Sequence, residues 1–101
     1  MPIIAGPRAL METLVASIGI PAAVLIPTSG AFIGKKICRA KFQPKLKNVF
    51  VALDGEAATS DDLFLAVGDI MTLDGYHNLA QLRIIEEAAS AKLLIIPFYM
   101  V

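Results

Sequence analysis

His77, Cys38, the Gly30 to Lys36 segment and the acids Glu56, Asp61 and Asp62 are the residues of this chain whose types could do chemistry. His77 is the single histidine, next to Tyr76 and just past the Asp74-Gly75 pair. An imidazole there could act as a general base, but a solvated loop histidine is the commoner use, and no triad can be assembled around it. Cys38, the only cysteine, excludes an intrachain disulfide and a cysteine-only metal site, and fits a reducing compartment. It falls on the apolar face of an alternating segment, where a cysteine serves as a small hydrophobe. Were it exposed beside Lys36 and Arg39, it would be a candidate nucleophile. Gly30-Ala31-Phe32-Ile33-Gly34-Lys35-Lys36 distantly echoes a phosphate-binding loop. Its first glycine stands one residue too close, and Lys36 occupies the position where Ser or Thr should hold magnesium. Glu56 with Asp61-Asp62 does not match calcium-loop spacing, so neither a metal nor any other cofactor is expected. The expectation is a protein that is not an enzyme and has no small-molecule substrate.

Charge distribution carries more information than these isolated groups. The formal net charge is zero, yet six of the nine basic residues (Lys35, Lys36, Arg39, Lys41, Lys45, Lys47) lie within thirteen positions. Six of the nine acids (Asp54, Glu56, Asp61, Asp62, Asp69, Asp74) follow them. Zero net charge argues against a dedicated nucleic-acid binder. So does the basic segment itself, whose one aromatic, Phe42, is set on the face opposite Arg39 and Lys41, a poor platform for stacking bases. Two readings of the segregation stand: two solvated faces of a monomer, or a basic side and an acidic side that meet between copies arranged in a ring. Composition makes a separate argument for contact with some partner. Apolar residues make up 56% of the 101 positions, above the roughly 45–50% usual for soluble domains, and a domain this small cannot hide them all. The remainder must meet sister subunits, another protein or lipid.

The elements that must carry these residues read mostly as strands. Thr13 to Gly34 is 22 residues without charge, long enough to span a bilayer, and the following cations satisfy the positive-inside rule. A small membrane-anchored protein is therefore one rival reading, although Gly19, Pro21, Pro27 and Gly30 would break a continuous helix, so a membrane is not favoured. Met1 to Gly6 has neither the basic start nor the long apolar stretch of a secretory leader. Residues 1–20 suit an arm or strand without clear periodicity, and residues 21–101 a single β-domain. Within that domain, Ala22 to Ile26 is a short apolar run between prolines, expected as a buried strand. Lys36 to Gln43 alternates, with Cys38, Ala40 and Phe42 on one face and Arg39, Lys41 and Gln43 on the other. A turn at Pro44 to Lys47 would join it in a hairpin to Asn48 to Leu53. Leu63 to Val67 and Ile70 to Leu73 are brief strands, and Leu53-Asp54-Gly55 and Leu73-Asp74-Gly75 are repeated turn chemistry rather than a repeat. Leu79 to Glu87 fits a strand, with a helix over Leu79 to Ala89 as the alternative. Lys92 to Val101 is nearly all apolar and needs cover on both faces. Pro97 in it predicts an edge or a kink, and an exposed edge needs another chain over it.

In their order, Lys36 to Ala40, Val49 to Gly55, Val67 to Gly75, the Leu79-Ala80-Gln81-Leu82-Arg83-Ile84-Ile85 strand and Ala89 to Tyr99 resemble small structural proteins of tailed bacteriophages. The resemblance covers residues 36 to 99 and departs from the family at Pro97, where a β-former is usual, and in the Glu56 to Asp62 loop, which lacks a Pro-Thr pair. It implies an all-β fold, a small β-sandwich or barrel-like domain with an irregular N-terminal arm. It also implies a place on the virion: a head-decoration (cement) protein on the capsid surface, or alternatively a neck, tail or fibre and spike-base component. The expected partners are further copies of the chain, most simply a trimer, together with the major capsid protein or another virion protein, and the family brings no catalytic residues. The residues expected at the interface are Lys35, Lys36, Arg39, Lys41, Lys45, Lys47, Asp61, Asp62, Leu94, Ile96, Phe98 and Tyr99.

Overall fold

The computed structural model describes residues 3–6, 10–14 and 16–100. The elements in order are β1 (Ile3–Ala5), β2 (Leu10–Leu14), α1 (Ala22–Leu25), β3 (Ile37–Lys45), β4 (Val49–Ala52), β5 (Leu63–Leu65), β6 (Met71–Asp74), α2 (Tyr76–Gln81), β7 (Arg83–Glu86) and β8 (Ala91–Met100). The fold is all-β, with two antiparallel sheets. The larger sheet has β8 at its centre, with β3 and then β6 on one side and both β1 and β2 on the other. The smaller has the order β5-β4-β7. Phe42, Leu93 and Ile95 from the first sheet and Val49, Val51 and Ile84 from the second belong to one buried apolar cluster, completed by Leu79, Leu82, Ile20 and Val24.

The terminal apolar run is not an edge. Ala91, Leu93, Ile95, Pro97 and Tyr99 are buried, and the residues between them are partly or fully exposed, the period-two pattern of a strand with one face on a core. Pro97 is tolerated because of where it falls. β2 pairs with residues 91–95 and β1 with residues 98–100, so Pro97 lies at the handover between two partners, its carbonyl accepting from the Gly6 N–H at 2.6 Å. A strand residue's N–H and C=O address the same neighbour, so the missing donor faces a gap in the ladder. Pro44, expected to open a turn, sits inside β3 for the same reason. It pairs with Leu93 on one side, while β6 on the other pairs only with residues 39–42.

Three further expectations are corrected. β3 and β4 are not a hairpin: they belong to different sheets, and the turn between them is a γ-turn at Leu46, with φ of 72° and a Lys47 N–H to Lys45 carbonyl bond of 2.9 Å. Cys38 is not a regular member of the inward face. The register slips between Ile37 and Arg39, so Cys38 is the extra residue of a β-bulge and Ile37 takes the buried position. Ala22 to Ile26 forms the single helical turn α1, in which the N–H groups of Val24 and Leu25 bond the Pro21 carbonyl. Proline is well suited to the entry of a helix, and a short apolar run does not by itself choose between helix and strand. The uncharged stretch from Thr13, where prolines and glycines were expected to break a continuous helix, is shared among the end of β2, a bridge from Ile18 to Ile84, α1 and the turns that follow. Among the described residues, no helix is long and apolar enough to cross a membrane. Farther along, both readings of Leu79 to Glu87 hold in part, since α2 ends at Gln81 and β7 begins at Arg83. The glycines of the two Leu-Asp-Gly exits both have positive φ, 86° at Gly55 and 91° at Gly75, a region that glycine enters most easily.

Candidate assembly surface

The outer face of the larger sheet brings together two sequence segments that were read separately. Antiparallel register sets Arg39 opposite Phe98, Lys41 opposite Ile96, Gln43 opposite Leu94 and Lys45 opposite Lys92. Directly paired residues share a face. A basic row along β3 therefore runs beside an apolar row along β8, which continues to Met100 and its partner Ile3, each 40% exposed. From Leu94 to Met100 the apolar row extends over roughly 20 Å at the rise of a β-strand. Leu94, Ile96 and Phe98 are each half-buried in the single chain, an arrangement in which neighbouring lysine stems can lie along apolar surface while their ammonium groups stay in water.

Arg39 pairs with Asp74, its partner on β6. The hydrogen bond and charge of Asp74 hold the Arg39 guanidinium above its usual value. Among the described residues this is the one ion pair, so Lys41, Lys45 and Lys92 meet no described carboxylate. Lys92 belongs to this face although the sequence reading did not single it out; its place in the alternation with Leu94 and Ile96 was the available signal.

The other expected interface residues lie elsewhere. Lys35 and Lys36 are exposed before β3, and the Lys36 ammonium sits 5.1 Å from the centroid of the Tyr76 ring, a cation–π contact. Lys47 is exposed in the turn after β3. Asp62 staples its own turn, its carboxylate accepting from the Thr59 N–H at 2.7 Å, while Asp61 points to solvent. Tyr99 is a correction: it is 1% exposed, faces the core and donates its hydroxyl to the Val24 carbonyl, so it offers nothing to a partner. A second apolar row escaped the sequence reading. Phe50 pairs with Phe64 on β5 and Ile85 on β7, and the two phenyl rings lie 5.7 Å apart on the outer face of the smaller sheet. Its signal was the alternation of Phe50 with the buried Val49 and Val51.

The chemical candidates are scattered. His77 is exposed on α2. The Gly30 to Lys36 loop joins helix α1 to strand β3, the reverse of the strand–loop–helix order that aims backbone donors at a phosphate. The Cys38 thiol donates to the Phe98 carbonyl at 3.4 Å. Among the described residues, no three His, Cys, Asp or Glu side chains converge on a metal position. An open hollow of about 390 Å³ between α1 and α2 is lined by Ala22, Ala23, Leu25, Ile26, Thr28 and Tyr76, a surface that offers apolar contact rather than acid–base chemistry. Set beside known proteins, the chain matches no family model, no curated sequence and no solved structure.

Proposed function

We propose that this chain is a structural protein that works by assembly, a capsid decoration protein of the kind its sequence resembles. On this reading it forms a closed oligomer, a trimer, through the outer face of its larger sheet and clamps neighbouring coat subunits on a virion. The single observation that carries the assembly part is the partly buried row of Leu94, Ile96 and Phe98, ending at the exposed Met100, lying along the cations of β3. A row of this size outside the core calls for cover, and the flanking charges give it a direction and a register. Apolar area covered in the assembly stabilises it at about 25 cal/mol per Å² before association costs, and no bond-making chemistry is needed. The virion setting rests on the sequence resemblance alone, and the reading of the two sheets as halves of a small sandwich belongs with it.

The test is light scattering on the size-exclusion peak of the purified chain, beside an Ile96→Glu variant that places a charge in the middle of the row. The wild type is expected as a discrete oligomer and the variant as a folded monomer. A wild type that stays monomeric at micromolar concentration would sink the proposal. For the virion part, particles assembled without the protein should lose resistance to heat, and a copy number of a dozen or fewer per particle would move it from the head to the tail or a vertex.

A further inference from the structure

We infer that the occupant of the basic and apolar face is the β4–β5 loop of a second copy of this chain, residues 54–62 with the apolar residues at its two ends. This rests on the assembly reading above and names the contact that reading leaves open. The loop bears Asp54, Glu56, Asp61 and Asp62. One oxygen of Asp54 accepts from the Glu56 N–H at 3.0 Å, and one of Asp62 accepts from the Thr59 N–H. Each of these two thus fixes a local turn, while Glu56 and Asp61 are exposed. Outside the loop the described acids are less concentrated: Asp74 pairs with Arg39, Asp69 accepts from the Ala66 N–H in its own turn, Glu86 accepts from the Ala91 N–H and Glu87 from Asn48, whereas the loop carries four acids in nine positions.

Apolar contact matches as well as charge. Leu53, Leu63 and Phe64 flank the acidic loop at 47%, 55% and 48% exposure. The loop surface is therefore carboxylates bordered by exposed apolar side chains, and the sheet face is ammonium groups bordered by Leu94, Ile96 and Phe98. Within one molecule the two do not meet, since no described lysine of the face touches a loop carboxylate. Two different patches that complement each other make a head-to-tail contact, which closes into a ring when the rotation between copies allows it. Lys41, Lys45 and Lys92 are the cations left to receive the loop.

Charge reversal on each side separately, and then on both, tests the pairing. Lys41→Glu with Lys45→Glu on the face, or Glu56→Lys with Asp61→Lys on the loop, should each weaken self-association at least about tenfold, as expected for interfacial charge pairs turned repulsive. All four substitutions in one chain should restore assembly to near the wild-type level, because the signs again match. Circular dichroism on each variant checks the fold, and the restored four-fold variant excludes misfolding as the cause. One-sided loop variants that assemble like the wild type would overturn the pairing while leaving the assembly reading intact. So would a four-fold variant that is folded but fails to reassemble. A wild type that never self-associates would fail the reading beneath instead.

Discussion

The Tyr99 hydroxyl donates to the Val24 carbonyl, tying the central strand of the larger sheet to the helical turn α1 across 75 positions of sequence. The Phe32 ring stacks on Tyr99 with centroids 5.1 Å apart and an interplanar angle of 26°. Strand, helix and the loop leading into β3 are thus held at one buried side chain. Tyr99→Phe keeps the ring and removes the donor, leaving the Val24 carbonyl without its partner. The expected loss is about 1–3 kcal/mol in urea unfolding, the range for a buried group left unsatisfied. A change within about 0.5 kcal/mol, the scatter of surface substitutions, would show that the carbonyl is satisfied in another way.

Burial also pushes the Tyr99 hydroxyl above its ordinary value. The folded chain then holds this proton more tightly than the unfolded chain does. At a pH above the unfolded value, about 10, the native state binds more protons than the unfolded one, so stability falls as pH rises. Below that value the contribution is fully present, and it is lost as the pH climbs through the folded value. Unfolding curves from about pH 8 to 11 should therefore show the wild type losing more stability at the alkaline end than Tyr99→Phe does. Parallel loss in the two would remove Tyr99 from the alkaline transition.

The strands of this fold were legible where alternation was clean and ambiguous where pairing decided them. β3 announces itself through apolar residues at every second position and β8 through a nearly continuous apolar run, of which the core buries one face only, and both Leu-Asp-Gly exits carry the expected turn chemistry. What the residues did not reveal was register. Pro97 and Pro44 each argue against an interior strand until it is known that the ladder has a gap beside them. The Cys38 bulge likewise shifts the inward set to Ile37 without leaving a sequence mark. Ile3–Ala5 becomes a strand because β8 offers it a partner, a tertiary effect that local propensity does not record. The candidate surface divides in the same way. The cation segment and the apolar terminal strand were visible one at a time, but their contact depends on Lys41 standing opposite Ile96.

Leu46 is, with Ser90, one of two described non-glycine residues at positive φ. It has φ of 72° and a side chain 63% exposed, at the centre of the γ-turn that carries the chain from one sheet to the other. A branched residue held in the left-handed region costs about 1–3 kcal/mol, and so exposed a leucine recovers little of that by burial. Leu46→Gly removes the strain but gives the unfolded chain more freedom, which offsets about 0.4–1 kcal/mol. The net expectation is a gain approaching 1 kcal/mol in folding stability, read as a higher urea midpoint with an unchanged slope. A lower midpoint would mean that the Leu46 side chain and its restriction of the unfolded chain contribute more than the backbone conformation costs.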